Sequence, residues 1–174
     1  MEILAFMLSM ASLLCMITSS LVKGKNMKLI LVLVSAANLL VAMSYFVQRP
    51  MAVNGGVSCT IGALMSFINY FFDKDNKPVP KWLVAIYAIV ITALNAIVLK
   101  SAEDVLTIFA GLIFVMSIIQ KNGKMFRLYT IINIALWCTY DFFKLSYGPL
   151  LQHSIQLVFI IVGMLIHDRK TKEK

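Results

Sequence analysis

Little in this chain would break, cross-link or charge a long helix. Proline occurs four times in 174 residues, at 50, 78, 80 and 149. Each proline falls at or near the end of an apolar run, where a missing N–H is tolerated. Cys15, Cys59 and Cys138 are the three cysteines; they lie inside apolar runs with no CxxC spacing. That pattern gives no disulfide framework and no zinc site, and reads as small core residues. Histidine occurs twice, at His153 and His167, and there is no HExxH, GxSxG or Gly-rich phosphate loop. No catalytic centre, metal or cofactor is therefore expected. Charged residues make up 14% of the chain, against about 25% in an average soluble domain. Acidic residues are the scarcer sign, eight against sixteen Lys and Arg.

What remains is apolar. The hydrophobic fraction is 60% and mean hydropathy is +0.86. Seven runs carry it: 2–22, 29–48, 51–72, 82–99, 101–119, 128–147 and 148–167. At about 1.5 Å per residue, runs of roughly 18–22 residues match a hydrocarbon core of ~30 Å. The sequence thus predicts an all-α integral membrane protein with seven spans in the lipid bilayer. Thirteen of the sixteen basic residues fall on one side of that drawing: Lys23, Lys25, Lys28, Lys74, Lys77, Lys81, Lys121, Lys124, Arg127, Arg169, Lys170, Lys172 and Lys174. Only Arg49, Lys100 and Lys144 fall on the other. Short-loop Lys/Arg bias marks the cytoplasmic face, so the amino terminus is expected outside and the carboxyl terminus inside. The net charge of +8 is spread as small clusters at helix ends, which suits anionic lipid and gives no reason to expect nucleic acid. Glu2 where a basic n-region would stand, and basic residues after the first run, predict an uncleaved first span.

The chain also repeats itself. Residues 38–77 align with 133–172 without a gap: Asn38 meets Asn133, Tyr45 meets Tyr140, Arg49 meets Lys144, and Asp73-Lys74 meets Asp168-Arg169. Polar residues recur at matching depths and basic loops at matching ends, a build common in transporters. The expected units are 1–77, a first three-helix repeat; 78–100, a linker and fourth helix; and 101–174, a second three-helix repeat with a basic tail. The extra helix keeps both units the same way up.

A parallel three-plus-one-plus-three repeat with its amino terminus outside resembles the SWEET/PQ-loop superfamily. More narrowly, GKNMK (24–28), QKNGK (120–124) and LWCTYDF (136–142) resemble the YgjV-like bacterial inner-membrane family. The resemblance implies an inner-membrane location and a transport fold. The SWEET pattern places prolines within helices, whereas here all four lie at or near run ends.

A polar side chain deep in a span usually faces the bundle or a wet cavity. Span 6 carries Asn133, Trp137, Tyr140, Asp141 and Lys144 on one helical face. Span 2 echoes it with Asn38, Tyr45 and Arg49; span 7 offers Gln152, His153 and Gln156; span 3 offers Asn54, Ser58, Gly62 and Ser66. Asp141 and His153 lie six residues either side of Tyr147, so at ~1.5 Å per residue both sit about 9 Å below the outer boundary. They are candidates to pair, the alternatives being Asp141 with Lys144 and His153 as a packing residue. Trp137 falls near the midplane, as a stacking wall for a ring-shaped solute or as core filler. In the SWEET-like pattern a span-6 Trp and a span-7 residue sixteen positions on touch substrate, and Trp137 and His153 match that spacing. The substrate-binding set expected is Trp137, His153, Gln156, Asn133, Tyr140, Asp141, Gln152, Asn38, Tyr45, Asn54 and Ser58.

Two functions compete. One is a transporter or facilitator of a small polar or ring-containing solute through a pocket between the three-helix units; the stripe of intramembrane polar residues favours it. The other is a receptor, scaffold or assembly partner on the same fold. A homo-oligomer fits either.

Overall fold

A computed structural model describes residues 2–22 and 26–168, the last two by backbone alone. Lys23, Lys25, Arg169, Lys170, Lys172 and Lys174 lie outside the described residues, as do the side chains of His167 and Asp168. The described chain is helical throughout: α1 (Glu2–Leu21), α2 (Met27–Val47), α3 (Val53–Lys74), α4 (Lys81–Val98), α5 (Val105–Ile118), α6 (Gly123–Phe143) and α7 (Tyr147–Asp168), with a 3₁₀ turn at Ala102–Asp104 before α5. Five helices, α1 to α4 and α7, are long and apolar enough to cross a membrane. At 14 residues α5 is too short, and α6 is diluted by Lys124, Arg127, Asn133 and Asp141.

Polar and apolar residues are distributed inside out. Every α-helix exposes large hydrophobics, among them Leu14, Leu39, Phe67, Ile89, Phe109, Ile132 and Val158, while Ser9, Ser44, Ser66, Asn69, Asn95 and Asp141 are fully buried. Water would not tolerate that surface; a lipid phase favours it. The buried groups pin neighbouring helices. Ser12 donates to Ala37 O at 2.9 Å, Ser35 to Ala63 O at 2.9 Å, and Asn133 Nδ2 to Ala110 O at 2.6 Å. Such interhelical bonds average about 0.6 kcal/mol each in lipid, so their number matters more than any one.

Local signals set the helix ends. Asn122 Oδ1 accepts from Lys124 N at 2.9 Å and starts α6. The α6 stop is a Schellman-type turn: Ser146 N donates to Asp141 O at 2.9 Å while Leu145 adopts φ 53°. Asn76, at φ 56°, ends α3 the same way, with Lys77 N donating to Phe72 O. Glycine is the usual residue at this position, so a leucine there gave the sequence no stop signal. The sixth helix accordingly spans 123–143, where the apolar run predicts 128–147.

Packing closes a cycle. α1 lies on α2, α2 on α3, α3 on α5, α5 on α6, α6 on α7, and α7 on α1, with α4 outside against α3 and α5. The α2–α3 and α6–α7 turns share one end, the turn end. The α1–α2, α3–α4 and α5–α6 connections mark the other, the loop end.

Candidate functional site

Two residues at matching positions of the aligned stretches open the site. Asn38 on α2 and Asn133 on α6 each spend their side-chain N–H on a backbone carbonyl, Val34 O at 2.9 Å and Ala110 O at 2.6 Å. A carbonyl partner fixes the amide orientation, so both Oδ1 atoms are left over as acceptors. They border a narrow internal cavity of about 30 Å³, room for about two waters at roughly 10–15 Å³ each. Trp137, His153 and Gln156 line it too, with Cys59 from α3 and Ser19 and Ser20 from α1. The cavity runs from the middle of the helices toward the loop end, where Met16 and Phe126 also line it.

A layer of linked side chains closes its turn end. Asp141, wholly buried, accepts from Tyr45 Oη at 2.5 Å and lies 2.7 Å from His153 Nδ1. His153 stacks on Trp137 with centroids 5.8 Å apart and planes 23° apart. Trp137 also meets Tyr45 at 5.9 Å and Tyr140 edge-on at 5.6 Å. Its ring is thus packed among three others, a scaffold of the layer more than an open wall. The two hairpins explain the convergence: a tight α6–α7 turn brings residues 141 and 153 to one depth on adjacent helices, and α2 presents Tyr45 from across the bundle.

The remaining sequence candidates divide. Tyr140 is turned from the cavity and accepts from Gly55 N at 3.2 Å. Gln152 is fully buried; its Nε2 reaches Gln156 Oε1 at 3.5 Å and its Oε1 has no partner. Asn54 lies at the turn end, donating to Val98 O at 3.1 Å, with Oδ1 unpartnered. Ser58 does not join Trp137 and His153. It donates to Asn95 Oδ1 at 2.6 Å, and Asn95 also accepts from Thr107 at 3.0 Å. Helix α4 captures this serine, and because α4 lies outside the two stretches that align in sequence, 38–77 and 133–172, that alignment cannot anticipate it. The neighbouring Cys59 takes the place at the cavity.

Lysine 144 likewise goes elsewhere. Its Nζ lies 2.8 Å from Asp104 Oδ1 and 2.6 Å from Ser101 Oγ, and 5.9 Å above the Tyr140 ring. Burial works against the Asp104 carboxylate, but hydrogen bonds from Lys144 and from the backbone of Lys100 and Ser101, with the charge of Lys144, hold its carboxyl below the ordinary carboxylate range. Glu103, on the surface beside it, is also lowered, chiefly by a hydrogen bond from Ser101. Arg127, counted among the inner-face charges, is buried: its Nη2 donates to Val22 O at 3.1 Å, at the carboxyl-terminal end of α1, where a cation suits the helix dipole.

Among the described residues no cluster of His, Cys, Asp or Glu could hold a metal ion. The family model Imp-YgjV, described as a bacterial inner membrane protein, matches residues 3–171. No curated protein and no solved structure matches the chain.

Proposed function

Because the chain belongs to the Imp-YgjV family of bacterial inner membrane proteins, we propose that it carries a small polar or ring-containing solute across that membrane, through the cavity between its halves. The observation that carries the reading is a cavity at mid-length of apolar helices where Asn38, Asn133, His153 and Gln156, with Trp137, stand among apolar neighbours such as Val34, Val41 and Phe114. Polar groups facing a void inside a membrane protein are costly and suit a solute path. On this reading the two halves are parallel three-helix repeats with α4 between them, arranged as in the SWEET/PQ-loop superfamily. The pairings α1–α2, α2–α3 and α3–α5 recurring as α5–α6, α6–α7 and α7–α1 support it. The basic loops favour a cytoplasmic loop end; on that reading the closed layer is an outer gate and the cavity leans inward.

A thermal-stability screen of small solutes on the purified full chain tests this. A stabilising solute whose effect disappears in Gln156→Ala, with the unliganded melting temperature kept, supports it. A screen in which stabilisation is indifferent to Gln156→Ala and Asn133→Ala contradicts it. One observation favours the second reading, a receptor or scaffold: the cavity as it stands holds only about two waters, so transport requires the helices to part.

A further inference from the structure

We propose that the cavity binds a compact organic cation in exchange for the proton carried by His153, one cation entering as one proton leaves. This deepens the transport reading and rests on it.

The inference starts from a charge count. Among the described residues no Lys, Arg, Asp or Glu lines the cavity, and His153 and Cys59 are its titratable side chains. Immediately behind His153 lies Asp141, wholly buried, with His153 as the cationic partner it can have in the layer. The other titratable groups around the pair are thiols and phenols, ordinarily uncharged at neutral pH: Tyr45 from α2, Cys59 from α3, and Cys138 and Tyr140 from α6. From α1 come only Glu2, at the turn-end rim, and Cys15, against the Met16–Phe126 cluster; α5 has none. Asp104 at the head of α5 is already matched by Lys144. Arg127 lies at the loop end, outside the cavity lining, engaged with the α1 terminus.

A buried carboxylate needs a countercharge. With the imidazole protonated, the Asp141–His153 pair is neutral. Without that proton it carries one negative charge beside a cavity, and a cation there restores neutrality. Once the helices part to admit it, the lining suits such a guest. Asn38 and Asn133 offer free Oδ1 acceptors from opposite halves, and Ser19 and Ser20, whose hydroxyls donate to Met16 O at 2.8 Å, offer oxygen lone pairs. The free donors, Trp137 Nε1 and Gln156 Nε2, have no hydrogen bond among the described residues and would meet a hydroxyl or carbonyl on the solute. His153 Nε2 likewise has no partner, so the proton that leaves it leaves toward the cavity.

The test uses methylguanidinium and its neutral flat counterpart methylurea. In a Trp82→Phe background, Trp137 is the one tryptophan left to report binding by fluorescence. At matched ionic strength, methylguanidinium should bind the purified full chain at least tenfold tighter at pH 8.5 than at pH 5.5, releasing one proton per cation in a weakly buffered titration. Methylurea should bind more weakly and without pH dependence. In His153→Gln the exchanged proton has only Asp141 to sit on, so cation binding should persist with the midpoint of its pH dependence shifted, and Asp141→Asn should lose cation binding. If Asp141→Asn does not fold, His153→Gln and the methylurea comparison decide. Methylurea binding as tightly as methylguanidinium, proton uptake in place of release, or binding of neither probe would overturn the exchange. Tight methylurea binding lost in Gln156→Ala would do so while leaving the transport reading intact.

Discussion

Tyr45 and Asp141 are joined at 2.5 Å across 96 residues of sequence, hydroxyl to carboxylate, one from each half of the molecule. In the alignment of the halves Tyr45 corresponds to Tyr140, yet the two hydroxyls do opposite things: one donates to Asp141, the other accepts from Gly55 N. The layer above the cavity is therefore asymmetric by construction. Asp141 has Phe46 as its counterpart and His153 has Ser58, so only one half can supply the charged pair.

Tyr45→Phe should destabilise the purified protein by about 1.5–3 kcal/mol, the range for hydrogen bonds to charged groups. Asp141→Ala, which orphans both partners, should cost about 3–5 kcal/mol. In a double-mutant cycle, Tyr45→Phe with His153→Asn should be non-additive by at least ~0.5 kcal/mol, because both act on one carboxylate. Strict additivity in chemical denaturation would show that the three groups do not form a unit.

Helix α7 depends on Gly163. A Cβ there would meet the backbone oxygen of Ser20 on α1 more closely than packed atoms allow, and a carbonyl cannot swing aside. Gly163→Ala should cost about 1–3 kcal/mol by overpacking. At Gly62 the obstacle is a Phe114 ring carbon 3.2 Å away beside the cavity, so Gly62→Ala should cost less. Comparing the two melting temperatures decides it, and equal losses would contradict the distinction.

The Lys144–Asp104 pair predicts an acid-dependent stability at the turn end. Because the Asp104 carboxyl is held below its ordinary range, its contribution is full above the unfolded-state value of about 3.9 and fades as pH falls through the lower folded value. Melting temperatures between pH 6 and 3 should therefore fall more steeply in the parent than in Asp104→Asn. Parallel slopes would show that this carboxylate is not linked to folding.

Membrane orientation is a separate expectation. A reporter fused after Lys174 should read cytoplasmic and one placed before Glu2 periplasmic, as the basic loops direct. Both ends on one side would remove the parallel repeat.

The sequence carried some of this plainly and the rest not at all. Asp141 and His153 could be matched in depth because a tight hairpin makes depth a matter of counting from the turn, and the structure pairs them. The cavity placement of Asn38, Asn133 and Trp137 follows from a polar face at helical spacing on α6 that α2 echoes, and that of Gln156 from its helical spacing after His153 on α7. Ser58 was drawn away by Asn95 on α4, whose position outside the cycle has no periodic signature. Lys144 found Asp104 rather than Asp141 because the 3₁₀ turn at 102–104 brings a second carboxylate to the end of α6, and that turn reads in sequence as the plain start of a span. Arg127 looks like a loop charge until α6 begins at Gly123 and carries it inside. The partner of Tyr45 was invisible because the repeat predicts equivalence, and Asp141 breaks it.

Cys59 offers the most direct test that the cavity is a solute path. It lines the cavity and is 2% exposed, and Cys15→Ala with Cys138→Ala leaves it as the lone thiol. In proteoliposomes of defined orientation, a membrane-impermeant methanethiosulfonate reagent should modify Cys59 from the loop end, and a stabilising solute should slow that reaction at least tenfold. Cys59 that reacts from neither side until the protein is denatured would contradict a transport path through this cavity.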